Sequence, residues 1–291
     1  MPRARVSPAI ELEYESFGDE RDPLLVLVMG FTLQLTAWDV RFCEAIASRG
    51  LRVVRFDNRD VGRSTKLSAA GIPDFFRALS DRSVAPYRIE DMADDVLGLV
   101  GALGAPAAHL VGVSMGGFIV QEAALRDPAR VRSLTSMMSS TGDRRVGRAR
   151  PETMAALMAP PPSEREAVLD HAVRLWRAIG SPGFPFDEER VRARAGLAWD
   201  RDPDVTGIAR QAAAVLSQRD RTAALAGVQA PATVIHGAAD PVIDVSGGEA
   251  TARAISGARL LVIPGMGHDL PEALWPTFVD AIVDNARRAV A

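Results

Sequence analysis

The stretch His109-Leu110-Val111-Gly112-Val113-Ser114-Met115-Gly116-Gly117-Phe118 decides the reading of this chain. His109 to Val113 is an apolar, β-branched run that predicts a buried strand, and Met115 to Arg126, stopped ahead of Pro128, predicts a helix. Between them lies Gly112-Val113-Ser114-Met115-Gly116, a G-x-S-x-G string. The string alone is weak evidence; between a strand and a helix it describes a sharp, strained turn that lifts a serine hydroxyl clear of a sheet. Side chains two residues before and two after the serine would collide with such a turn, and glycines 112 and 116 remove them. The helix N-terminus adds free N–H groups and partial positive charge beside the hydroxyl. Ser114 is therefore a candidate nucleophile.

Working outward, runs rich in Val, Leu and Ile recur at Leu24 to Met29, Arg52 to Phe56, Val131 to Met137, Thr233 to His236 and Leu260 to Ile263. Helical patterns separate them: Trp38 to Arg49, Ile89 to Leu103 and Trp275 to Val290. This alternation predicts an α/β fold, a doubly wound and mostly parallel sheet buried on both faces. Ile10 to Phe17 instead alternates Leu12, Tyr14 and Ser16 with Glu11, Glu13 and Glu15, as an antiparallel edge strand would. From Ser139 to Gly227 the strand signal gives way to Pro-rich and Arg-rich helical sequence. Here Ser163 and Glu166 form a capping-box pattern ahead of Val168, Leu169, Ala172, Val173, Trp176 and Ile179. The expected organisation is a core in two parts, residues 1–138 and 227–291, with a helical cap at 139–226. Pro160 to Pro162 reads as a turn between cap helices.

A serine hydroxyl needs a base, and in folds of this kind the partners follow in the order Ser, acid, His. Of the four histidines, His109 precedes the serine within a strand, His171 lies in the cap and His236 stands ahead of the candidate acid. His268, in the loop Pro264-Gly265-Met266-Gly267-His268 after the last strand, is the candidate base. Asp240, in His236-Gly237-Ala238-Ala239-Asp240-Pro241, is the candidate orienting acid at the carboxyl end of the sheet. Asp244 competes with it but reads as the N-cap of a helix running to Ile255, and Asp269 reads as a loop residue. An oxyanion needs donors, expected from the backbone N–H of Met115 and of Phe31 after Gly30.

Composition bounds the rest. The chain has 291 residues, 47% hydrophobic and 24% charged, as for one globular catalytic unit. A net charge of −3 from interspersed residues predicts neither a nucleic acid nor a membrane as partner. Cys43, the single cysteine, excludes an internal disulfide or a thiolate metal cluster. No apolar stretch reaches the roughly 18 residues of a spanning helix, so a cytoplasmic protein is expected.

The run Leu25 to Gly30, the turn Asp57-Asn58-Arg59-Asp60-Val61-Gly62-Arg63-Ser64, the elbow at Ser114 and the Gly265 to His268 loop together resemble the α/β-hydrolase superfamily over almost the whole length. With Ser181-Pro182-Gly183-Phe184-Pro185-Phe186-Asp187, the chain is most similar to the aclacinomycin methylesterase group. The resemblance implies a Ser114, Asp240, His268 triad, oxyanion donors at Phe31 and Met115, no cofactor and a carboxylic ester as substrate. Met29 stands where the superfamily usually has histidine, and Asp60 where it usually has glycine. Dehalogenases and epoxide hydrolases use an aspartate nucleophile, which Ser114 is not. Cofactor-free perhydrolases and haloperoxidases, enol-lactonases and C–C hydrolases share the triad and stay open as alternatives, as does, more distantly, a ligand receptor on the same fold. A nucleotide site is excluded, since Ser114 occupies the middle glycine position of G-x-G-x-x-G. Phe31, Leu33, Met138, Trp176, Phe184, Phe186, Trp199 and Met266 are candidates for an apolar pocket, predicting an uncharged, largely hydrophobic ester.

Overall fold

A computed structural model of the chain describes residues 1–74, 76–159 and 162–289. The strands β1 (Arg3–Ser7), β2 (Ile10–Phe17), β3 (Leu24–Val28), β4 (Arg52–Phe56), β5 (Ala108–Val113), β6 (Val131–Met137), β7 (Ala232–Gly237) and β8 (Arg259–Ile263) form one sheet in the order β1-β2-β4-β3-β5-β6-β7-β8. Among the described residues the helices are α1 (Val40–Ala47), α2 (Ile89–Ala102), α3 (Met115–Arg126), α4 (Pro151–Met158), α5 (Arg165–Ile179), α6 (Glu188–Arg201), α7 (Ile208–Leu216), α8 (Thr222–Leu225), α9 (Val245–Ala254) and α10 (Trp275–Arg287).

β3 and β5 are buried at every position, which requires helices on both faces. Successive β3 residues divide between two cores. Leu24, Val26 and Val28 face α2 and α3, while Leu25 and Leu27 face α1 and α10. From β4 to β8 the pairing is parallel, and β2 joins antiparallel to both β1 and β4. The chain leaves β3 for β4 on one side and returns to β5 on the other, so the order reverses between β3 and β5. A crevice opens at the carboxyl ends of strands at such a point.

Helices α4 to α8 lie between β6 and β7 and are tied to the core by buried ion pairs. Arg201 reaches Glu13 at 2.6 Å and Asp57 at 2.9 Å, and Arg210 holds Asp60 through two bonds of 2.8 and 2.9 Å. Asp60 has a left-handed backbone, φ 67°; its Oδ1 also accepts the Leu67 N–H at 2.7 Å. The aspartate that stands in place of a glycine thus anchors α7. Cys43 is buried in α1, and burial pushes its thiol up to about 12. No helix among the described residues is long and apolar enough to cross a membrane.

Four details differ from the sequence reading. The sheet edge is β1, not Ile10–Phe17, because Arg3–Ser7 pairs along β2; its five residues, two of them arginine, carry almost no apolar signal. Glu13 is buried, not solvated, because Arg201 compensates it. The helix expected from Trp38 begins at Val40, capped by Asp39, whose side chain accepts the Arg41 N–H. The Ser163 and Glu166 capping box does not form: α5 begins at Arg165 with Glu164 as N-cap, and Glu166 is drawn aside by Arg165 and Arg192. The expected turn at Pro160 to Pro162 falls on Pro160 and Pro161, and the expected helix end on Val290, all outside the described residues.

Removing one partner of a buried ion pair strands the others without water. Arg201→Met should cost about 3 kcal/mol or more, read as a lower urea midpoint at unchanged slope; an unchanged midpoint would mean that Glu13 and Asp57 do not depend on Arg201.

Candidate active site

At the crevice, Ser114 connects β5 to α3 with φ 56° and ψ −119°, a backbone that L-residues rarely adopt. The turn is closed from both sides. A Cβ on Gly112 would lie 2.1 Å from the Gly116 carbonyl oxygen, and one on Gly116 would lie 2.1 Å from the Val28 carbonyl oxygen. The Ser114 amide donates to Met137 O at 2.9 Å, and Ser139 Oγ donates to Ser114 O at 2.9 Å. Adjacent strands and α3 therefore over-determine the strained residue.

The loop after β8 brings His268 to this turn. It is pinned from α5 and the segment that follows: the His268 amide donates to Ile179 O at 2.8 Å, and the Gly267 amide to Ser181 Oγ at 2.8 Å. His268 Nε2 stands 3.0 Å from Ser114 Oγ, and Nδ1 stands 2.7 Å from Asp240 Oδ2. The other Asp240 oxygen accepts the amides of Val242 and Ile243 at 2.8 and 2.9 Å, so the carboxylate is fixed before it meets the imidazole. Asp244 is occupied elsewhere, capping α9 through the Ser246 amide at 2.9 Å.

His236, at the end of β7, is fully buried beside Asp240. Its Nε2 donates to Ile243 O at 2.7 Å and lies 3.6 Å from Asp240 Oδ2. Burial lowers its pKa, which keeps it neutral. His109 is likewise held down, to about 4, by burial in β5, and His171, on α5, lines the cavity beside the site but is bonded to neither Ser114 nor Asp240. Asp269, beside the imidazole, has its carboxyl raised by burial and accepts the Ser181 hydroxyl.

Phe31 and Met115 flank Ser114. As the first residue of α3, Met115 has an amide with no intrahelical acceptor, and no acceptor among the described residues takes the Phe31 amide. The Phe31 loop is held from the insertion: Thr32, at φ 63°, donates its amide to Gln211 Oε1 at 2.9 Å, and Gln211 Nε2 donates to Arg59 O at 3.0 Å. Met29 donates no side-chain hydrogen bond; its carbonyl accepts Asn58 Nδ2 at 3.0 Å.

Ser114 and His268 open into a cavity of about 380 Å³ between the sheet and the insertion. Phe31, Leu33, Met138, Trp176 and Trp199 line it; Phe184, Phe186 and Met266 do not. Met266 and Phe184 pack into the core against α1 and α10, and Phe186 is covered by the Arg177 guanidinium, 4.5 Å from its ring. A wider hollow on the outer face of α5 and α6 contains none of the residues around Ser114. No group of three or more His, Cys, Asp or Glu among the described residues is arranged to hold a metal ion.

Residues 23–272 match the family model described as alpha/beta hydrolase fold. The chain belongs to the α/β hydrolase fold family. Rhodomycin D methylesterase DauP of Streptomyces sp. (strain C5) is 30% identical over 96% of both chains, and DnrP of Streptomyces peucetius, of the same description, is 29% identical over 96% of both. A crystal structure of a hydrolase from Pseudomonas aeruginosa PA01 superposes with a TM-score of 0.71 at 26% identity, covering 98% of this chain and 97% of that one. The resemblance to methylesterases read from sequence thus extends over 96% of this α/β hydrolase. Gln211, which holds the loop of Phe31, belongs to no recognisable motif, and Ser181, though it opens the stretch shared with the methylesterase group, gives no sign in the sequence that it holds the loop of His268; only the contacts reveal these roles.

The strain at Ser114 predicts a stability order. Glycine relieves a positive φ worth about 1–3 kcal/mol and gives back about 0.5–1 kcal/mol through a more flexible unfolded chain. Ser114→Gly should therefore melt above Ser114→Ala. The reverse order by calorimetry would mean that the turn is not strained.

Proposed function

We propose that the chain is a serine-dependent hydrolase of carboxylic esters. The observation that carries the reading is the continuous relay from Asp240 through His268 to Ser114, ending at a cavity mouth with two unclaimed backbone amides. In this reading Ser114 Oγ attacks the ester carbonyl while His268 Nε2 takes its proton. Asp240 holds the Nδ1–H tautomer and stabilises the imidazolium. The amides of Phe31 and Met115 receive the charge that develops on the carbonyl oxygen. His268 then gives the proton to the leaving alkoxide, and the same imidazole activates a water that releases the acid and restores Ser114. Side chains and backbone alone carry these steps.

The ester assignment is supported by the methylesterase relatives. The apolar lining from Phe31, Leu33, Met138, Trp176 and Trp199 favours a small, largely apolar substrate. Residues 139–226 act as a cap whose helices roof the cavity, and α7 steadies the Phe31 loop through Gln211.

Ser114→Ala should abolish hydrolysis of p-nitrophenyl and aromatic methyl esters while the protein stays folded. Asp240→Asn should lower kcat on the order of 10⁴-fold, as for loss of the orienting acid in serine proteases, and Asp244→Asn far less. Steady-state kinetics on the three variants decide it; an active Ser114→Ala, or an Asp244→Asn more crippled than Asp240→Asn, would overturn the assignment.

A further inference from the structure

The cavity wall is rich in charge for a site of apolar shape, and nearly all of that charge is compensated by the protein. Asp39 accepts from Arg190 at 3.1 Å, Asp60 holds Arg210, Asp202 holds Lys66 at 2.5 Å, and Asp204 accepts the Thr206 amide at 2.8 Å. Arg194 of α6 differs. It lines the same cavity, half-buried, and its guanidinium lies over the Trp176 ring at 4.5 Å. No carboxylate, carbonyl or hydroxyl among the described residues accepts any of its N–H groups. Burial pushes its pKa down to about 10, with Arg190 acting in the same sense, while the carboxylates of Asp269 and Asp39, near it in the cavity wall but not bonded to it, act against that shift; at neutral pH it remains a cation.

Holding a guanidinium partly out of water, with no acceptor in the protein, carries a cost. Stacking on an indole offsets part of that cost and fixes the plane of the fork, leaving its edge donors free. A planar cation held this way is matched by anionic oxygen, which accepts two parallel N–H bonds at a geometry that ammonium groups do not reproduce.

We propose that Arg194, stacked on Trp176, is the subsite for an anionic oxygen group carried by the substrate, so that the preferred ester is a largely apolar body bearing a carboxylate or ionised phenol away from its scissile bond. This rests on the reading of the cavity as the substrate site and departs from the uncharged ester that the aromatic residues predict from sequence. Arg194 is a specificity determinant. It touches neither Ser114 nor His268, and the ester chemistry does not pass through it.

The test is equilibrium binding, which is independent of the nucleophile. 2-Naphthoate and 2-naphthamide share size and shape and differ in charge. Calorimetric titration of the wild type at neutral pH should show naphthoate binding about tenfold tighter or more, the scale of a charge-assisted hydrogen bond. Arg194→Met and Arg194→Gln should lose the difference while still binding naphthamide, which also reports an intact cavity. Equal affinities in the wild type, or a preference for naphthoate retained in both variants, would overturn the proposal. Either result leaves the serine hydrolase reading standing, because neither measures turnover at Ser114. Conversely, an active Ser114→Ala protein would sink that reading without touching the binding difference.

Discussion

Ser114 can occupy its strained conformation only because backbone approaches it from three directions. The carbonyl of Val28 fills the space that a side chain at 116 would need, and the carbonyl of Gly116 fills the space needed at 112. This close contact between the end of β3, the end of β5 and the first turn of α3 forces glycine at both positions. It also forces β3 and β5 to be neighbours, and their adjacency at the reversal of strand order creates the crevice. Once the turn is fixed, the amide of Met115 and the loop after β3 face the serine hydroxyl, and a loop from the far side of the sheet needs only to deliver an imidazole.

The second determinant is the docking of the insertion. Arg201 and Arg210 are long cations that leave α6 and α7 to meet Glu13, Asp57 and Asp60 in the core. Desolvating such groups cancels much of the Coulombic gain, so these pairs are weak sources of net stability and strong constraints on placement. What they place bears on the chemistry. Gln211, one residue after Arg210, accepts the amide of Thr32, and the end of α5 receives the amide of His268. The roof therefore fixes parts of the floor.

Much of this was legible in the sequence because the relevant signals are local. The elbow, the glycine-rich loop of His268 and the Asp-Pro turn at Asp240 are each written in a few consecutive residues, and chain order relates them. The parallel sheet was legible from β3 and β5, whose every residue is buried. β1 was not, since Arg-Ala-Arg-Val-Ser has no periodic apolar face and is a strand only because β2 offers a partner. Nor was the burial of Glu13, which depends on an arginine 188 residues away. Gln211 and Thr32 are separated by 179 residues, and neither belongs to a motif. The apolar pocket was partly legible: aromatic residues announce themselves, but whether they face a cavity, as Trp176 and Trp199 do, or the core, as Phe184 does, is decided by packing. The open cation Arg194 is invisible among 34 Lys and Arg residues until its neighbours are known.

The central claim is that Ser114 is the activated nucleophile, and covalent trapping tests it most directly. A fluorophosphonate reacts with a serine whose proton is removed by a neighbouring base, and mass spectrometry of the digested protein locates the adduct. The account predicts one adduct per chain, on Ser114, forming much more slowly in His268→Ala. An adduct on a different residue, or none on a protein that still hydrolyses esters, would contradict it.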